Sequence, residues 1–213
     1  MAVMELSHPM RVITSALDGD VLEVLARGEV LFTGREIARM VSASQQGVRN
    51  TLFRLVEQGI VCQERAGAAQ LYRLNREHLA AGCVIALVGI REDLLARLRT
   101  LFAGWSQPSA YAALFGSAAR GEDRADSDLD LFVLRPAGLT DEDPEWVAQI
   151  EHLMDRASVW TGNDARVLQI GLDDLAVVDE PDGVLEDVLR DGIPLAGERA
   201  VLRGALHSLR FGA

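Results

Sequence analysis

Lysine is missing from this 213-residue chain: all 21 of its basic residues are arginine. That bias points to a GC-rich coding sequence more than to mechanism, although arginine does suit two-pronged recognition of phosphate. Cysteine is scarce too. Cys62 and Cys83 are the only two and show no C-x-x-C spacing. This excludes a disulfide framework or a cysteine metal site, and the pair reads as small apolar residues in a reducing compartment. Long hydrophobic runs are also lacking. The longest, residues 79–90, spans 12 residues, against the roughly 20 that a membrane-crossing helix needs. Glu5, His8 and Arg11 interrupt the N-terminus, so a secretory signal is not expected. Repeats and low-complexity segments are absent, and the expectation is a soluble, cytoplasmic protein without a membrane partner.

What is present is apolar material for a core, 49% of the residues, enough for one large domain or two small ones. The charge is uneven. Residues 1–76 carry nine arginines and eight acids, whereas residues 77–213 carry twelve arginines and twenty-four acids. Such a step predicts two domains of different character.

In the first 76 residues, apolar spacing predicts short helices over Asp20–Arg27 and Arg35–Val41, then a longer one over Gln45–Gln58 behind the cap candidates Ser42 and Ser44. Gly59 ends it. Alternating residues in Ile60–Arg65 and Gln70–Leu74, around Ala66-Gly67-Ala68-Ala69, predict a hairpin. Three helices and a hairpin in this order resemble the winged helix-turn-helix of small bacterial regulators. The resemblance implies that the third helix enters a major groove. Its DNA-contacting candidates are Ser44, Gln45, Gln46, Arg49 and Asn50, with Arg54 toward the backbone and Arg65 and Gln70 on the wing. Gln, Asn and Arg can each pair with a base through two hydrogen bonds. This region is close to neutral, and the acidic excess elsewhere in the chain opposes non-specific binding to DNA.

Residues 77–107 read as one long helix or two, a linker whose apolar first half packs between domains or against a second copy of the chain. Then comes the most informative stretch. An apolar run ends in Leu114-Phe115-Gly116-Ser117-Ala118-Ala119-Arg120-Gly121, and Ser127-Asp128-Leu129-Asp130-Leu131 follows. The pattern predicts a strand, a tight Gly-Ser turn opening a short helix, and a second strand. Residues i and i+2 of a strand share a face, so Asp128 and Asp130 project together. Side by side they repel, which a divalent cation relieves, and Mg2+ prefers one or two carboxylates plus substrate phosphate oxygens. Backbone N–H groups at Gly116 and Ser117 suit a phosphate, and Arg120 adds a forked cation.

Gly116-Ser117-x-x-Arg120-Gly121 with Ser127-Asp128-x-Asp130-Leu131 resembles the signature of the DNA polymerase β-like nucleotidyltransferases, nearest the minimal bacterial branch. The resemblance implies an α+β two-domain chain: a winged helix in 1–76, the helical linker 77–107, and a nucleotidyltransferase domain in 108–213 with a mixed sheet flanked by helices. It further implies Mg2+ (or Mn2+) on Asp128 and Asp130, and an NTP held by Gly116, Ser117, Arg120 and Ser127. The family normally supplies a third carboxylate from the next strand, here Arg166-Val167-Leu168-Gln169-Ile170, which contains none. Asp164 and Gln169 are the nearest substitutes, Asp164 being the catalytic candidate, and Asp173 and Asp174 lie beyond the strand's end.

Two functions stay open on the sequence. One is a Mg2+-dependent enzyme moving a nucleoside monophosphate from an NTP to a protein, tRNA end or small molecule. The other is a transcriptional regulator whose transferase-like domain senses nucleotide without efficient catalysis. Beside these two stands a third option, a toxin of a toxin–antitoxin pair.

Overall fold

The computed structural model describes residues 4–124, 127–175 and 183–211, without the side chains of residues 208–211. The chain divides into two compact units. One holds His8–Arg91; the other begins at Glu92 and takes in the N-terminal stretch through Ser7.

In the first unit a 3-10 turn, Pro9–Val12, precedes α1 (Leu17–Ala26), β1 (Phe32–Thr33), α2 (Gly34–Met40) and α3 (Gln45–Glu57). The strands β2 (Val61–Ala66) and β3 (Ala69–Leu74) follow, then α4 (Ala81–Val88). Thr33 and Glu36 form a reciprocal capping box that starts α2, and Ser44 accepts from Gly47 N to start α3. Both devices satisfy N–H groups that have no partner within the helix. β2 and β3 form the hairpin and β1 adds to β3, giving the antiparallel order β1-β3-β2. Val21, Leu25, Ile37, Val48, Leu52 and Leu74 form the buried core between helices and sheet.

The second unit carries α5 (Ile90–Ala103) from Glu92 onward, β4 (Tyr111–Leu114), α6 (Gly116–Arg120) and β5 (Leu129–Arg135). It continues with α7 (Pro144–Thr161), β6 (Ala165–Gly171), α8 (Val184–Asp191), β7 (Ile193–Gly197) and α9 (Arg199–Phe211). The predicted linker is thus two helices, and Gly89, between them, is the C-cap of α4. The sheet is mixed, in the order β6-β5-β4-β7: β5 and β6 run parallel, while β4 is antiparallel to both β5 and β7.

β5 sits in the middle and is buried over Leu131–Arg135, which is why its sequence is continuously apolar from Leu131 to Leu134 instead of alternating. On one face Phe132, Leu134 and Ile170 pack with Leu185 and Val188 of α8 and Leu202 of α9. On the other face α7 lies against β6, with Trp146 Nε1 donating to Gln169 Oε1 at 2.8 Å. Trp105 meets Trp146 edge to face, ring centroids 5.4 Å apart, and packs at a tilt against Phe102 at 4.6 Å.

Two polar devices close this unit. Asp143, with Pro144 behind it, accepts from the N–H groups of Glu145 and Trp146 and starts α7. The side chain of buried Asn163 accepts from Met4 N at 3.0 Å and donates to the carbonyls of Met4 and Ser127. Asp123, 6% exposed, accepts from the backbone N–H groups of Leu6 and Ser7. Residues 4–7 are therefore fastened to the loop that leads into β5.

Asn163→Ala takes the side-chain partner from three part-buried backbone groups, Met4 N, Met4 O and Ser127 O, a loss at or below the roughly 1–3 kcal/mol that a fully buried unsatisfied group costs. A lower urea midpoint with unchanged m-value is expected; an unchanged midpoint would show that the clasp carries no stability. The acid of Asp143 is held below its ordinary 3.8, chiefly by the hydrogen bond from Trp146 N. Its contribution is thus complete above that value and fades as pH falls through the lower folded value. Asp143→Asn should therefore lose stability less steeply than wild type as pH falls below about 4, measured by urea midpoints over an acid series.

Candidate functional site

The site lies where β4 hands over to α6 and where β5 begins. Gly116, the first residue of α6, has φ +71°, a left-handed conformation that side chains disfavour. A Cβ there would stand 2.5 Å from Asp130 Oδ2, so a side chain at this position could keep the turn this close only if the carboxylate moved. Phe115 N donates to the Asp130 carbonyl at 3.0 Å and fixes the approach from the backbone side. Ser117 follows in the turn, and its carbonyl accepts from Gly121 N and Glu122 N as α6 ends. Gly121, also left-handed, closes that helix.

Asp130 lies within β5 and Asp128 immediately before it; the two-residue period puts both carboxylates toward the same face. Asp130 is half-buried. Burial first, and then the charge of Asp128, push its acid above the ordinary value, and the charges of Arg166 and Arg120 pull it back by less. A pair of carboxylates that crowd each other in this way is a donor set that a cation would relieve. Two such oxygens donors together with phosphate oxygens suit a single Mg2+. The residues present fit that one ion. They do not fit a three-carboxylate centre: among the described residues no group of three or more His, Cys, Asp or Glu side chains stands together as a metal site.

The sheet register explains why. β5 and β6 pair in parallel with Asp130 opposite Arg166, so the neighbouring strand presents a base beside the pair where an acid was expected. Arg166 Nη1 is 2.8 Å from Asp128 Oδ2, and its Nε is 3.5 Å from Asp164 Oδ2. Asp164 is exposed, and its carbonyl accepts from Leu129 N at the start of the pairing. Gln169, the other substitute, binds Trp146 on the opposite face of the sheet. Asp173 accepts from Gly138 N and Asp174 pairs with Arg135, both at the far end of β5 and β6. Asp164 is the only one of the four near Asp128.

Arg120 reaches from α6 toward Glu122, Nε to Oε2 2.9 Å, and toward Asp191 of α8 at 3.9 Å. Ser127 is occupied in its own loop: its hydroxyl oxygen accepts from Arg124 N at 2.9 Å, and its carbonyl accepts from Asn163. Three residues in or around this centre went unnoticed in the sequence. Arg166 could have been found from the two-residue period of β6 placed beside β5. Asp123 looks like one more acid in a solvated turn, and Asn163 like an ordinary turn residue after α7; their partners, residues 4–7, are too remote in sequence to suggest them.

In the first unit, Gln45, Gln46 and Arg49 of α3 join Arg35, Gln70 and Tyr72 around a groove of about 560 Å3. No carboxylate is among its described lining residues. Ser44 is engaged as the α3 cap, and Gln46 Nε2 donates to Asn50 Oδ1 at 2.9 Å. Arg54 pairs with Asp18 and Arg65 bonds the Gly67 carbonyl; neither lines the groove. Among the described residues no helix is long and apolar enough to cross a membrane.

No curated protein matches the chain. Among solved structures, that of a toxin–antitoxin with AMP-PNP is 17% identical, covering 55% of this chain and 86% of that one with a TM-score of 0.39. A double aspartate-to-glutamate mutant of the toxin–antitoxin pair MntA–HpeT is 14% identical with the same coverages and a TM-score of 0.39. Residues 93–182, which include the Gly-Ser turn, the Asp128–Asp130 pair and Arg166, match the family model of the nucleotidyltransferase domain.

Proposed function

We propose that the second unit transfers a nucleoside monophosphate from an NTP to an acceptor hydroxyl. The observation that carries this reading is the close approach of Gly116 to Asp130, which sets the Gly-Ser turn against a carboxylate pair. The family match over residues 93–182 supports nucleotidyl transfer in general. In this reading Gly116, Ser117 and Arg120 hold the terminal phosphates, and Ser127 keeps the loop before Asp128 in place. Asp128 and Asp130 would hold a divalent cation (Mg2+ or Mn2+), which would offset charge on the triphosphate. The acceptor oxygen forms a bond to the α-phosphorus, the bond from that phosphorus to the β-phosphate oxygen breaks, and pyrophosphate leaves. Asp164 receives the acceptor's proton. Catalysis of this kind rests on positioning and on neutralising charge.

A second reading is favoured by the acid-free groove on the first unit. There the helices and hairpin act as a winged helix on DNA (or RNA), and the transferase-like unit senses nucleotide. Gln45, Gln46 and Arg49 then face the bases.

The two readings separate experimentally. Each α-labelled NTP is incubated with Mg2+ and a cell extract, using wild type and Asp128→Asn/Asp130→Asn. Label should pass to an acceptor with wild type and fall at least about 100-fold in the variant, the size expected when stabilisation of the transition state is removed. Wild type that binds NTP and transfers nothing sinks the enzyme reading. For the second reading, Arg49→Ala should weaken retention of DNA from the gene's own upstream region by about 1–3 kcal/mol. If wild type retains no fragment in a mobility-shift assay, that reading has no basis.

A further inference from the structure

The basic residue opposite Asp130 bears on how the carboxylate pair is charged, a question that rests on the nucleotidyl-transfer reading only for its consequences. Asp128 and Asp130 share a face, and Arg166, in register with Asp130 on the parallel neighbour β6, closes on Asp128 at 2.8 Å. Its other nitrogen stands 3.5 Å from Asp164, so one guanidinium spans two carboxylates at the edge of the cluster. Arg120, the other cation near Asp130, is drawn instead to Glu122 and Asp191. The charge already opposing Asp128 is therefore that of Arg166.

We propose that Arg166 is a resident counter-cation that competes with a divalent ion for Asp128. Several features support competition over simple decoration. The guanidinium approaches Asp128 Oδ2, an oxygen a metal would use. The side chain of Arg166 is 64% exposed, so it can swing away without opening the core. An exposed pair of this kind is weak, which makes it a barrier that an ion or a phosphate can displace and not a permanent block. Arginine also stays charged at any working pH, so the competition does not switch off by titration.

The test uses the full chain without nucleotide, titrated with MnCl2 and followed by calorimetry. Arg166→Gln should bind Mn2+ about three- to fivefold more tightly than wild type, the fold-change equivalent to losing an exposed ion pair. Arg166→Lys, which keeps the charge, should stay near wild type. Arg97→Gln, an exposed arginine on α5 paired with Asp93, controls for the general change in charge and should have no effect. Asp128→Asn/Asp130→Asn should abolish the binding in either background.

Mn2+ bound no more tightly by Arg166→Gln than by wild type overturns the proposal. So does equal tightening in Arg97→Gln, or an absence of Mn2+ binding in both wild type and Arg166→Gln. Circular dichroism confirms that each variant is folded. Tighter Mn2+ binding without any label transfer leaves this inference standing and removes the enzyme reading, so the two fail separately.

Discussion

Parallel pairing of β5 with β6 is the constraint on which the second unit depends. It fixes which residues stand beside Asp130, and a slip of one residue would turn every side chain of one strand to the other face. With Asp130 opposite Arg166, the same face then runs through Phe132 and Leu134 to the α8–α9 core. The apolar end of that face holds the helices, and its polar end holds the candidate site. Stability and chemistry share one register, so neither can shift without the other.

Charge at the site follows from that geometry. Asp128 and Asp130 are kept on one side by the strand's period, and burial of Asp130 makes its ionised form costly. The nearest relief comes from Arg166 on β6, held at Asp128 by an ion pair. Gly116 allows the turn after β4 to press against the same carboxylate, because no Cβ intervenes. Backbone, carboxylate and guanidinium are thus brought together by three strands and one missing atom, while Asp173 and Asp174 are carried to the opposite end of the sheet.

Much of this was legible in the sequence, and the boundary between legible and hidden has a physical basis. Patterns within one element were readable: the periodicity of α3, whose observed span is Gln45–Glu57, the β2–β3 hairpin around Gly67, and the strand–turn–helix at Gly116. The carboxylate pair was readable because both members lie on one short stretch of chain. Relations between distant elements were not. The approach of Arg166 to Asp128 requires the parallel register. The clasp of residues 4–7 onto Asp123 and Asn163 joins positions more than a hundred residues apart. Of the two open readings of residues 77–107, one helix or two, the stop at Gly89 gives two, and in isolation that residue is only a tolerated glycine.

The first unit shows the same contrast between global and local quantities. A net charge of −11 disfavours nonspecific attraction to a polyanion at long range. Charges on a surface are screened beyond about 8 Å at physiological salt, however, so contacts inside a groove depend on what lines it. The groove beside α3 is lined by Arg35, Arg49 and several glutamines, with no carboxylate among its described residues. A surface of that composition, in a chain of that net charge, would gain little from mere proximity to nucleic acid. Any binding there would have to come from fitted hydrogen bonds at Gln45, Gln46 and Arg49, so affinity and selectivity would rise or fall together.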